Sequence, residues 1–343
     1  MNLPVSNAQT RFVAAPGSDL VVNLTEAERI LCQTSLVAVG EYRCGTDHPR
    51  FRHGGGPQTC PYIGFARSSV IRIPEGGRSE VFTPNVICFH NIGSSYTRAA
   101  VDSCGEECDW LAVSPSLLND LVEDVFGMPA EDNASFFAAP SAPGDGRLYL
   151  AQRRMFEALN SAARPGPLAV EEYCIRVVRC SLRNASRFWD RRRLPQRAVR
   201  RGAERRRRSA IENVKEIVAR HYSAELSLDH VARLVHYSPG QLAKLFAERT
   251  GFTIHGYQQQ LRLRTALQMI QERRFELSAV AAELGFSSHS HFSMVFRRRF
   301  GISPKQFAAM QSKGLAHALC ACIDDSLRVL STRHRRAELG GAA

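Results

Sequence analysis

Residues 278–307 read SAVAAELGFSSHSHFSMVFRRRFGISPKQF. Ala279, Ala281, Ala282 and Leu284 make a short helical run of low polarity. Gly285 ends it, because glycine takes the positive φ that a helix C-terminus commonly requires. Ser287 and Ser288 can accept from the backbone N–H groups that open a second helix. That helix carries Phe292, Val295, Phe296 and Phe300 at i, i+3, i+4 and i+8, so one of its faces is apolar. The opposite face offers His289, Ser290, His291, Ser293, Arg297 and Arg298. Gly301 stops the helix, and Ser303-Pro304 opens another. The spacing therefore predicts a helix–turn–helix hairpin.

A second copy lies upstream. Residues 228–257 read LDHVARLVHYSPGQLAKLFAERTGFTIHGY. A uniform offset of 50 pairs Leu234 with Leu284, Ser238 with Ser288, Leu242 with Phe292, Leu245 with Val295, Phe246 with Phe296, Gly251 with Gly301 and Tyr257 with Phe307. A supersecondary unit repeated at fixed spacing is a strong signature. Between the copies, Leu261, Leu263, Ala266, Leu267 and Ile270 keep helical periodicity, so one long helix is expected to join them.

These residues carry a family resemblance. Residues 208–310 resemble the DNA-binding domain of AraC/XylS transcription regulators, through GFSSHSHFSMVFRRRFGISPKQF, YSPGQLAKLFAERTG and RLRTALQMI. The resemblance implies an all-α, homeodomain-like double helix-turn-helix that binds double-stranded DNA. It further implies an activator that works with RNA polymerase, answers to a small-molecule effector and forms a homodimer. One position departs from the pattern: the family often has Arg where this chain has Met294.

Charge supports the same half of the chain. Residues 1–190 hold 17 basic and 21 acidic side chains, whereas residues 205–310 hold 17 and 8, so the excess of cations coincides with the two hairpins. Lys and Arg gain affinity for a polyanion by releasing its counterions.

Base-edge readers are expected at the exposed starts of the second helices. In the first copy these are Gly240, Gln241, Ala243 and Lys244; Gln suits an adenine edge and Lys suits guanine O6 and N7. In the second copy they are His289, Ser290, His291 and Ser293, with Met294 available to a thymine methyl group. Ser238, Ser288, Arg297, Arg298 and Lys305 suit phosphates, which position a protein rather than specify a sequence.

The remainder of the chain reads as α+β and multidomain. Over residues 1–145, short runs such as LVAVGEYRC, YIGFARSSVIRI and SEVFTPNVICFHNI are separated by turn residues, which predicts a compact β domain, a small barrel or double sheet. The family resemblance implies a cupin-like sensing barrel there. TEAERILC (25–32) suggests a helix capped by Thr25, and SPSLLNDLVEDVFG suggests one starting at Ser114. Residues 146–190 are expected to be two helices, with Leu148, Ala151, Met155, Leu159 and Ala162 on one side of the first. Tyr173, Val177, Cys180 and Ala185 form the buried side of the second. This segment is assigned to dimerisation, as in other members of the family. Residues 191–207 form an Arg-rich linker, and the tail 311–343 could hold one more amphipathic helix.

Ten cysteines occur in the chain. Cys44, His48, His53, Cys60, His90, Cys104 and Cys108 cluster in sequence, and Cys44, Cys60, Cys104 and Cys108 are candidate zinc or redox ligands near a sensing pocket. Buried cysteine packing is the preferred alternative, and no cofactor is expected. No phosphate-cradling loop, G-x-S-x-G or H-E-x-x-H motif occurs, and the β region lacks the H-x-H of metal-dependent cupin enzymes, so a regulator rather than an enzyme is expected. No run of 18 apolar residues and no signal peptide is seen, so the expected setting is the cytoplasm, away from membranes.

Overall fold

The computed structural model describes residues 11–49, 51, 57–74, 77–130, 134–162, 164–193, 201–272 and 276–309. His53, the centre of the Arg-rich stretch (194–200) and the tail helix lie outside the described residues. The chain forms two compact units, Met1–Thr83 with Ile87–Ser141, and Pro84–Val86 with Ala142–Ala343.

The first unit is built from β1 (Arg11–Ala14), β2 (Val21–Leu24), β3 (Glu28–Gln33), β4 (Val37–Cys44), β5 (Tyr62–Ala66), β6 (Val70–Pro74), β7 (Glu80–Phe82), β8 (Val86–His90), β9 (Tyr96–Ala100), β10 (Glu106–Val113) and β11 (Ser141–Pro143). Its main sheet runs β11-β8-β5-β10-β4-β3, a second runs β7-β6-β9, and β1-β2 is a separate ribbon. The strand orders do not close among the described residues, so these are open sheets rather than the closed barrel expected. Trp110 on β10 sits in register with Gly40 on β4 and Gly64 on β5. A Cβ at Gly40 would overlap the indole, so this glycine makes room for the ring.

The segment 25–32 is a turn and a strand, not a helix. Its capping signal is real but local: the Glu28 carboxylate accepts the Thr25 N–H at 2.7 Å, and the Glu28 N–H bonds the Thr25 carbonyl at 3.1 Å. Beyond it the chain pairs with β4, from Glu28 opposite Tyr42 to Gln33 opposite Ala38. Pairing satisfies backbone groups on the flank of β4 away from β10, which outweighs a helix with no continuous apolar stripe. The second capping expectation holds. Helix α1 (Pro115–Phe126) starts where Ser114 Oγ accepts the Leu117 N–H, and it ends at Gly127 with φ 71°.

The second unit is helical: α2 (Gly146–Leu159), α3 (Pro167–Arg193), α4 (Arg201–Arg220), α5 (Leu228–Leu234), α6 (Pro239–Thr250), α7 (Ile254–Glu272), α8 (Leu277–Glu283), α9 (His289–Phe300) and α10 (Pro304–Ala309). Leu148, Ala151, Met155 and Leu159 are buried along α2, as are Tyr173, Val177, Cys180 and Ala185 along α3. Ala162 falls past the end of α2 and is exposed. Both flanks of the Arg-rich stretch are helical, since α3 reaches Arg193 and α4 begins at Arg201. The ion pair Arg249–Glu204 (2.6 Å) ties the end of α6 to the first turn of α4. In the mid-section of α7, Arg264 is buried and donates to the carbonyl oxygens of Pro84 and Gly144 within the same unit. No described helix is long and apolar enough to cross a membrane.

Candidate nucleic-acid interface

Two helix pairs, α5–α6 and α8–α9, flank α7. Each second helix starts on a serine N-cap and ends on a left-handed glycine. Ser238 Oγ accepts the Gln241 N–H (3.4 Å), and Ser288 Oγ accepts the His291 N–H (3.1 Å). Gly251 (φ 76°) and Gly301 (φ 81°) close the two helices. The apolar faces are buried: Leu242, Leu245 and Phe246 in α6, and Phe292, Val295, Phe296 and Phe300 in α9. In α9 these rings continue into Phe307, with Phe296 lying 5.6 Å from Phe292, 4.7 Å from Phe300 and 6.0 Å from Phe307 between ring centroids.

The repeat is not uniform. Across α6 and α9 the offset is 50, as Ser238/Ser288 and Gly251/Gly301 require. Across α5 and α8 it is 49. The Tyr237 N–H bonds the Ala232 carbonyl as the Phe286 N–H bonds that of Ala281, and the C-caps are Val235 and Leu284. Leu284 therefore corresponds to buried Val235, not to Leu234, which is 51% exposed. The additional residue in the second turn is Ser287. In the first turn His236 takes the positive φ (58°) that Gly285 (73°) takes in the second.

The second turn is held from behind by α7. Arg262 donates to the carbonyl oxygens of Tyr222 (Nε, 2.6 Å), Gly285 (Nη1, 2.6 Å) and Ala224 (Nη2, 2.9 Å). Gln258, one turn earlier, donates to those of Ala224 (2.6 Å) and Tyr222 (3.1 Å). These two polar residues cover carbonyls that the end of α4 leaves unsatisfied, as a helix C-terminus must. Sequence reasoning passed over them; their signal is an i, i+4 polar pair within the apolar stripe of α7.

The candidate contact residues group as follows. Gly240, Gln241 and Lys244 are exposed at the start of α6, and Ala243 is half-buried beside them. His289, Ser290 and Met294 are exposed on α9, Met294 at 60%, with Ser293 half-buried between them. His291 differs from the others. Its Nδ1 lies 3.1 Å from Ser287 Oγ, and its ring meets Phe286 edge-on at 5.8 Å, so it braces the turn. Arg297 and Arg298 at the end of α9 and Lys305 on α10 are exposed cations. The arrangement presents two short polar helix faces and a set of cations from one helical unit.

The four candidate thiols do not gather. Cys44, Cys60 and Cys108 are buried, whereas Cys104 is exposed in the turn before β10. Among the described residues, no group of three His, Cys, Asp or Glu side chains is placed to hold a metal ion. Burial pushes the Cys60 thiol up to about 12 and the Cys108 thiol well above its ordinary value, which disfavours the reactive thiolate.

Residues 231–310 match the helix-turn-helix domain family. The chain is 35% identical over 94 residues to a probable transcriptional regulator, LumQ, of Photobacterium leiognathi, covering 27% of this chain and 38% of that one. It is 36% identical over 72 residues to the HTH-type transcriptional activator RhaR of Pectobacterium atrosepticum, covering 21% and 25%. The match thus spans less than two-fifths of either relative. Among solved structures, an AraC-type transcriptional regulator from Chromobacterium violaceum aligns at 28% identity over 31% of this chain and 96% of that one, with a TM-score of 0.30. ToxT from Vibrio cholerae O395 aligns at 10% identity over 84% of this chain and all of that one, with a TM-score of 0.31.

Proposed function

We propose that this chain, whose C-terminal region is an AraC-type helix-turn-helix DNA-binding domain, is a sequence-specific regulator of transcription. Both helix pairs engage the duplex, α6 and α9 entering successive major grooves about 34 Å apart on one face of the DNA. Gln241 and Lys244, beside Gly240 and Ala243, read one half-site. His289, Ser290, Ser293 and Met294 read the other, with His291 setting the turn that aims them. Ser238 and Ser288 meet phosphates at helix N-termini, where backbone N–H groups and the helix dipole favour anions. Arg297, Arg298 and Lys305 hold the flanking backbone.

The protein acts as an activator in contact with RNA polymerase, in the cytoplasm and as a homodimer. The β unit senses a small effector. The observation that carries the DNA-binding reading is the pair of capped helices with exposed polar starts, set in the cationic half of the chain. Binding selection on random duplexes, followed by footprinting at several salt concentrations, tests it. Two protected half-sites one helical turn apart, with affinity falling as salt rises, are expected; salt-insensitive or sequence-indifferent binding refutes it.

A further inference from the structure

The β unit encloses a solvent-open cavity with about 660 Å³ of atom-free space. Tyr42, Tyr62, Tyr96 and Trp110 line it together with two guanidinium groups, those of Arg72 and Arg98. The arginines come from adjacent strands, in register across β6 and β9. Both guanidiniums lie over the Tyr96 ring, at 4.5 and 4.8 Å from its centroid. Both also donate to one carboxylate: Arg72 Nε reaches Glu106 Oε1 at 2.9 Å, and Arg98 Nε donates to Glu106 Oε2. Arg72 Nη1 further donates to His90 Nε2 at 2.6 Å.

Arginine is rarely buried without compensation, because a charge removed from water is costly to hold. Here one carboxylate serves two guanidiniums, so the cluster retains a positive excess. The other acidic groups nearby are engaged elsewhere. Glu28 also lines the cavity, with its carboxylate on the Thr25 N–H. Glu80 is in register with Arg72, but its carboxylate lies 3.5 Å from Ser141 Oγ. A guanidinium pair presents a planar, multi-donor surface that suits a carboxylate, and aromatic walls suit a flat apolar body.

We propose that this cavity binds a small monocarboxylate with a flat apolar body, its acid group on Arg72 and Arg98 and its body against Tyr42, Tyr62 and Trp110. Such a ligand supplies the second anion that the cluster lacks. The assignment gains its biological meaning from the sensing role proposed for the β unit, but binding is measured without DNA.

Calorimetric titration of the full-length protein with benzoate, cyclohexanecarboxylate and benzamide tests the assignment. Both acids should bind, and benzamide should bind at least about tenfold more weakly than benzoate. Glu106→Gln removes the internal competitor and should tighten benzoate about tenfold, while Arg98→Gln should weaken it about tenfold; neither should move benzamide. A purely structural ion cluster would not shift acid affinity in opposite directions on losing its anion and its cation. Equal affinity for acid and amide, binding by neither acid, or shifts of the same sign in both variants overturns the assignment. An acid that binds without altering DNA occupancy upholds the cavity assignment and refutes the sensing role instead.

Discussion

The Arg262 guanidinium donates to the Gly285 carbonyl at 2.6 Å, so the linker helix α7 grips the turn that aims α9. Gly285 permits this grip for two reasons. Its φ is 73°, and a Cβ there would overlap the Ser223 carbonyl oxygen. Gly285→Ala should therefore cost at least about 2 kcal/mol, from the left-handed backbone and the overlap together, and DNA affinity should fall with it. Gly240 provides the contrast, since it sits in α6 with open space around it. Gly240→Ala should raise stability by up to about 1 kcal/mol. Urea unfolding of both variants checks the pair, and equal effects would remove the special role given to Gly285.

The corrected register makes its own prediction. Leu284 is fully buried, whereas Leu234, with which the uniform offset paired it, is 51% exposed. Leu284→Ala should cost about 2–5 kcal/mol through transfer and cavity terms. Leu234→Ala should stay within about 0.5 kcal/mol. Similar losses at both positions would restore the uniform repeat.

Base readers and phosphate binders should separate in a binding selection. Lys244→Ala and His289→Ala should each relax preference at one half-site only, by about 1–3 kcal/mol of discrimination. Arg297→Ala should weaken all sequences alike and lower the slope of log affinity against log salt by about 1. Unchanged preferences in the first two variants would remove Lys244 and His289 from the reading surface.

Acid should loosen the β unit in two steps. Burial, aided by Arg72 and Arg98, lowers the His90 pKa well below its ordinary 6.5. The unfolded chain takes up a proton there that the folded chain refuses, so this stability is complete above about pH 6.5 and declines below it. Glu106 adds the same sign further down. Burial alone would raise its pKa, but Arg72 and Arg98 hold it below 4.5, so its contribution is lost as pH falls past that value. His90→Gln should flatten the upper part of the curve, by at most about 1.4 kcal/mol per pH unit. Urea midpoints between pH 5 and 7.5 decide this, and an unaltered slope would show that His90 is not the titrating group.

The hairpins were readable because their determinants are local. A serine, an apolar face and a closing glycine lie within fourteen residues of one another in each copy. The one-residue slip was not readable, because Leu234-Val235 offers two apolar residues where the turn uses one. The Thr25–Glu28 signal misled for a related reason: the same two bonds can open a helix or a turn, and the partner strand decides between them. Nothing local announces the cavity. Arg72, Arg98 and Glu106 lie on three strands, and charged residues in alternating strands ordinarily face water, so only the pairing of β6 with β9 brings the cations together.

The single residue by which the two turns differ has a consequence for the genome. A reader whose halves are unequal cannot regard a repeated or mirrored site as the same from both ends. Each copy should therefore sit on its promoter with a fixed heading, so that reversing the site in place turns the β unit toward the wrong side of the start point.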